Sequence, residues 1–163
     1  MAKVILICGR LCSGKTTLAR RIRQEQGGLL LSADEILTTV FHQDTGDRHE
    51  MILRDIKRYL LDKAVEAVGQ GVDVLLDWGF WTREERKQTE AFFAQRGILR
   101  EWLFTSMTRE EHLSAIAHRN ELVRAGRAQD YFVDEGLLRK AESLFEEPTA
   151  EEKCLLTGKD MSL

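Results

Sequence analysis

Residues 9–16 read Gly9-Arg10-Leu11-Cys12-Ser13-Gly14-Lys15-Thr16, the full G-x-x-x-x-G-K-[ST] pattern. That order of residue types suits the holding of a polyphosphate. Glycines at both ends of the loop let the backbone curl, so that successive N–H groups face one anion. Lys15 then carries a positive charge to the outer phosphates, and the Thr16 hydroxyl is a hard oxygen ligand suited to Mg²⁺. Contacts to a nucleotide are expected from Gly9, Leu11, Cys12, Ser13, Gly14, Lys15, Thr16 and Thr17. The competing reading is a chance glycine turn before a helix, and the flanks argue against it. Val4-Ile5-Leu6-Ile7-Cys8 is a short apolar run suited to a doubly buried strand, and Leu18 and Ile22 share one face of a helix after the loop. A helix beginning there directs roughly half a positive charge at the anion.

Two acids follow strand-like runs. Asp34 comes after Leu29-Leu30-Leu31-Ser32, on the rim that the phosphate loop would occupy. There it could take the proton of a hydroxyl that attacks the terminal phosphate. On spacing alone the first reading is a first-turn acid of a capped helix, because Ser32-Ala33-Asp34-Glu35 has the form of a capping box. Asp77 ends Val74-Leu75-Leu76-Asp77, the shape of a Walker B strand, whose carboxylate holds Mg²⁺ directly or through water. Its alternative is an acid opening the turn before Trp78-Gly79-Phe80-Trp81. Those aromatics either stack on a planar acceptor or close the top of the core.

Phosphoryl transfer also needs cations that move in over developing charge. Arg119, Arg124 and Arg127 surround Gly126 in a stretch that could form a mobile lid. The same residues fit a solvated helix face. Arg83 and Arg86 read as ordinary helix-surface charges. Cys12 is either a thiol whose oxidation blocks the loop or simply a small residue at a tolerant position. Cys8, Cys12 and Cys154 show neither zinc nor disulfide spacing, and the four histidines show no metal-ligand spacing.

The elements that must position these groups alternate strand and helix, which implies an α/β fold with a parallel sheet covered on both faces. Strands are expected at about residues 3–8, 29–32, 72–77 and 99–105, with a fifth, edge strand at 153–157. Helices are expected at about 15–26, 33–40 and 50–68. Others start after Thr82 and Thr108, each opening a capping-box pattern, and after Asp134, whose helix Pro148 would end. The chain has 163 residues, so residues 1–163 are expected to form one domain. With 43% hydrophobic and 31% charged residues, the composition is that of a soluble globular protein. A net charge of −3 argues against gripping long nucleic acid through bulk charge. No apolar run approaches a membrane span and no signal-peptide pattern opens the chain, so no membrane partner and a cytoplasmic location are expected.

The combination of residues 9–16, Ser32-Ala33-Asp34, the segment Leu76-Asp77-Trp78-Gly79-Phe80-Trp81-Thr82-Arg83-Glu84-Glu85-Arg86, Arg119-Asn120 and the tail around Phe145-Glu146-Glu147-Pro148 resembles the small bacterial P-loop family of "predicted kinases", or ATP-binding proteins. That family is similar to chloramphenicol phosphotransferase, zeta-toxin kinases and the kinase domain of polynucleotide kinase. The resemblance implies a three-layer P-loop fold, a five-stranded parallel sheet in the order 2-3-1-4-5, and a helical lid after strand four. It also implies ATP and Mg²⁺ as cofactors. It gives Asp34 the general-base role, Asp77 metal binding beside Thr16, Lys15 a catalytic role, and Arg119 and Arg127 (or Arg124) places in the lid, with Arg119 also touching nucleotide. The expected activity is an ATP-dependent transfer of phosphate to a hydroxyl of a small-molecule acceptor. Two alternatives stand beside it: a polynucleotide 5′-hydroxyl kinase, for which residues 41–49 offer little positive charge, and a nucleotide-binding regulatory ATPase.

Overall fold

The computed structural model describes residues 1–42, 44–128 and 131–157. Four parallel strands, β1 (Lys3–Cys8), β2 (Leu29–Ser32), β3 (Val74–Gly79) and β4 (Leu99–Phe104), form a sheet in the order β2-β3-β1-β4. The helices are α1 (Lys15–Gln26), α2 (Ala33–Thr39), α3 (His49–Gly69), α4 (Arg83–Ala94), α5 (Arg109–Arg124), α6 (Glu135–Leu144) and α7 (Ala150–Thr157). A short 3₁₀ turn at Gly46–Arg48 leads into α3. The expected polar stretch before α3 includes residue 43, and the expected loop after α5 includes residues 129 and 130. Those three positions lie outside the described residues.

The order agrees with the first four members of 2-3-1-4-5, and the expected fifth strand is corrected. Residues 153–157 belong to α7. Lys153-Cys154-Leu155-Leu156-Thr157 is too short for periodicity to separate strand from helix. Thr149 decides for helix by accepting the Glu152 amide at 3.1 Å, a cap placed before the apolar run. The helix then turns Glu152 inward.

Strand alternation divides the core. Val4, Leu6 and Cys8 of β1 and Val74, Leu76 and Trp78 of β3 face the layer that holds α2, α3 and α4. Ile5, Ile7 and Leu75 face α1 through Ala19 and Ile22. Asp77 is two residues beyond Leu75, so the pleat turns it to the α1 side. A third cluster of Leu11, Ile116, Val133 and Ala141 packs α5 and α6 over the loop after β1. Burial pushes the Cys8 thiol up to about 11, so it stays protonated and packs as a small apolar group.

Arg86 is a second correction. It is not a surface charge but is 0% exposed. Its guanidinium grips Glu152 through two bonds, at 2.6 and 3.0 Å, and donates to the Phe80 carbonyl at 2.9 Å and the Trp81 carbonyl at 3.2 Å. One side chain thus ties α4, the turn after β3 and α7 together. Arg86→Met should destabilise the fold by about 3–5 kcal/mol, because it strands a buried carboxylate and two carbonyls. Denaturant unfolding of that variant, beside the double variant Arg86→Met with Glu152→Leu, checks this. The double variant should recover much of the loss.

Side-chain caps set the starts of α2, α4, α5 and α6. Thr108 and Glu111 form the complete reciprocal box, at 3.2 and 2.8 Å. At α4 only half of the expected box forms: Thr82 accepts the Glu85 amide at 3.1 Å, while the Glu85 carboxylate pairs with Lys57 at 2.6 Å. Among the described residues, no helix is long and apolar enough to cross a membrane.

Candidate functional site

The loop between β1 and α1 is held by its neighbours at every turn. The Gly9 amide donates to the Gly79 carbonyl at 3.1 Å, and the Thr105 amide donates to the Cys8 carbonyl at 2.9 Å. Ser13 Oγ and Thr105 Oγ1 share a hydrogen bond of 2.6 Å. Gly9 has no room for a side chain: a Cβ there would lie 1.9 Å from Thr105 Oγ1 and 2.5 Å from Ser13 Oγ. Gly14 has φ +82°, a left-handed conformation that turns the chain into α1. Gly9→Ala should break the Ser13–Thr105 bond, displace the loop and weaken binding of an ATP analogue by about tenfold or more, measured by calorimetry.

At the start of α1, Thr16 Oγ1 donates to Asp77 Oδ2 at 2.7 Å. The pleat of β3 and the entry of α1 bring these two together across 61 residues of sequence. The register pairs Ser32 with Asp77, so the chain leaving β2 carries Asp34 along the same rim. Lys15 bonds the Arg10 carbonyl and lines a cavity of about 570 Å³ together with Leu11 and Asp34.

The electrostatics follow from that convergence. Burial pushes the Lys15 ammonium below its ordinary range, against the pull of Asp77 and Asp34. Burial pushes Asp77 up, opposed by the Thr16 hydroxyl and then by Lys15 and Arg20. Asp34 is exposed at the cavity it lines, where the surrounding protein removes part of its water. Its carboxyl is pushed up, first by this desolvation and then by Asp77, while Lys15, Arg119 and Lys57 pull it down. A carboxylate raised in this way is a better proton acceptor than a free one.

Thr16 and Asp77 suit a hard divalent cation, since both offer oxygen. Among the described residues there is no cluster of three or more His, Cys, Asp and Glu that could cage a metal.

Arg119 comes from α5 to the loop: its Nη1 lies 3.2 Å from Cys12 Sγ, and its guanidinium stacks over Tyr131 at 4.4 Å. Cys12 itself has φ +57°. Arg127 is exposed beyond the end of α5 and does not line the cavity, and Arg124 stacks over Phe132 at 4.8 Å. Trp78 and Phe80 are buried in the core, which favours core closure for them, although Trp78 and Trp81 also form cavity wall. Thr17 follows Thr16 in the first turn of α1.

Two residues escaped sequence reasoning. His112, buried on α5, bonds the Leu11 carbonyl across 101 residues, and Thr105 bonds Ser13 across 92. Neither carries a local signal, because a single His or Thr in a helix or after a strand has no spacing to read.

The model of the AAA domain family matches residues 4–148 of the chain. The chain belongs to this family. No curated protein matches this AAA domain. Among solved structures it is similar to a sugar kinase from Janibacter sp., at 18% identity and a TM-score of 0.60, over 93% of this chain and 82% of that one. A gluconokinase from Sinorhizobium meliloti aligns at 15% identity and a TM-score of 0.61, over 93% of this chain and 79% of that one. A chain of the Pnkp1/Rnl/Hen1 RNA repair complex aligns at 15% identity and a TM-score of 0.68, over 99% of this AAA domain but 50% of that chain. At these identities the likeness is one of fold alone.

Proposed function

We propose that the protein is an ATP-dependent phosphotransferase that moves the γ-phosphoryl group of ATP to a hydroxyl of a small molecule. The observation that carries this reading is the Thr16–Asp77 hydrogen bond of 2.7 Å beside a cavity that contains both Lys15 and Asp34. One group can face the phosphates while the other faces an acceptor.

In this reading the backbone of residues 9–16 and the N-terminus of α1 bind the phosphates. Thr16 and Asp77 would hold Mg²⁺, which would supply positive charge to the phosphate oxygens. Lys15 and Arg119 place further positive charge over the transferring group, and Arg127 is available from the same segment if it closes. Asp34 orients the acceptor hydroxyl and receives its proton. The new bond joins the acceptor oxygen to the γ-phosphorus, the bond to the β–γ bridging oxygen breaks, and ADP leaves. Arg119 already contacts the loop through Cys12, so its placement costs little further ordering.

Incubation with γ-labelled ATP and a panel of alcohols, sugars and 5′-hydroxyl oligonucleotides tests the proposal. Label should appear on a small-molecule hydroxyl. Label released only as inorganic phosphate would point to a regulatory ATPase, and label confined to oligonucleotide ends to a polynucleotide kinase.

A further inference from the structure

The cavity holding Asp34 and Lys15 extends from them towards α3 and the start of α4. Much of its wall is apolar, through residues such as Leu37, Leu53, Trp78, Phe132 and Leu144. Among the described residues its lysines (Lys15, Lys57, Lys140) are matched by as many carboxylates (Asp34, Glu50, Glu85). Lys57 in particular is paired within the protein, at 2.6 Å from Glu85, and both side chains are about three-quarters buried. A second cavity, of about 510 Å³, shares Glu50, Leu53, Lys57, Trp78 and Glu85 with the first. The Lys57–Glu85 pair therefore stands where the two cavities meet.

Resting on the phosphotransferase reading, we infer that the acceptor is an uncharged alcohol with a compact apolar body, and that the Lys57–Glu85 pair limits its length. The hydroxyl sits at Asp34 and the body lies along Leu53 and Trp78. Thr38, His49, Thr82 and Tyr131 offer polar groups to a hydroxyl, but the hydroxyls of a sugar or other polyol set against Leu37, Leu53, Trp78, Phe132 and Leu144 would lose water and find no partner there. A sugar acid or the 5′ end of a nucleic acid strand would bring negative charge to a cavity with no surplus of positive charge. A volume of about 570 Å³ lies within the range that encloses a drug-sized molecule. The ion pair blocks further extension, because parting it to admit an apolar chain would leave two largely buried charges uncompensated.

The test compares kcat/KM for three acceptor sets that all present a primary hydroxyl. These are aryl and alkyl alcohols of increasing length, neutral sugars with sugar acids, and 5′-hydroxyl oligonucleotides. ATP binding is measured alongside by calorimetry. The apolar alcohols should exceed the other sets by tenfold or more, with a clear optimum of length. In the double variant Lys57→Ala with Glu85→Ala, the ratio of long to short alcohol should rise about tenfold. Removing both partners avoids a stranded charge, and thermal melting checks that the variant is folded. If it is not, the wild-type ranking still decides the acceptor class.

A preference for sugars, acids or oligonucleotides overturns the inference and leaves the phosphotransferase reading standing. So does normal ATP binding with no saturation by any apolar alcohol. An unchanged length optimum in a folded double variant overturns the role of the ion pair. Failure to bind ATP at all defeats the parent reading instead.

Discussion

Lys15→Ala should abolish phosphoryl transfer while leaving the fold intact. The ammonium bonds the loop carbonyl of Arg10, and the pull of the Asp77 and Asp34 carboxylates on it opposes the cost of its burial. In the proposed reaction such a cation sits over the phosphates, and an arginine finger doing the same for a transferring phosphoryl is worth about 10³–10⁵ in kcat. The side chain is only partly buried and packs in no apolar cluster, so its loss should not unfold the chain. Single-turnover transfer from γ-labelled ATP measures the first effect and thermal melting the second. Turnover close to wild type in a folded Lys15→Ala protein would remove residues 9–16 from consideration as the active site.

Asp34→Asn should cut kcat by about 10²–10⁴-fold, the range for losing a general base, with ATP affinity nearly unchanged. The same substitution separates catalysis from helix capping through stability. Ser32, not Asp34, accepts the Glu35 amide that caps α2, at 3.3 Å. The Asp34 carboxyl is raised above its unfolded value, so the folded state favours its protonated form. The associated stability is therefore present below the unfolded carboxyl range and is lost as pH rises through the folded value. At neutral pH the ionised group opposes folding. Asp34→Asn should then melt at a higher temperature than wild type at neutral pH, and the difference should vanish as pH falls into the acid range. A first-turn acid acting mainly on the helix dipole would give the opposite sign at neutral pH. A kcat that holds while the melting temperature drops would assign Asp34 to the helix and not to chemistry. Loss of rate with a gain in stability is the expected trade for a strained functional group.

Much of this arrangement was written locally in the chain. The alternation of apolar runs with capped amphipathic segments determined the parallel α/β architecture, because period-2 and period-3.6 patterns each bury one face only in the matching element. Residues 9–16 determined the loop, since Gly9 and Gly14 stand where a Cβ would collide or the backbone must turn left-handed. Asp77 was legible because the apolar run Val74-Leu75-Leu76 followed by an acid fixes both its strand and its end of the strand.

Only the tertiary structure decided the rest. Whether residues 153–157 paired as an edge strand or coiled as a helix depended on Thr149 as cap and on Arg86 as the buried partner of Glu152, 66 residues away. Arg86 itself looked like a surface charge because its helix is polar on most sides. Its partners, the Phe80 and Trp81 carbonyls and Glu152, meet it only once the chain has folded. His112 and Thr105 reach the loop across about a hundred residues of sequence, and Lys57 finds Glu85 between two helices where the sequence suggested a capping box. Spacing rules describe what one helix or strand does with its own neighbours. Contacts between elements are set by packing, which has no signature in the local order of residues.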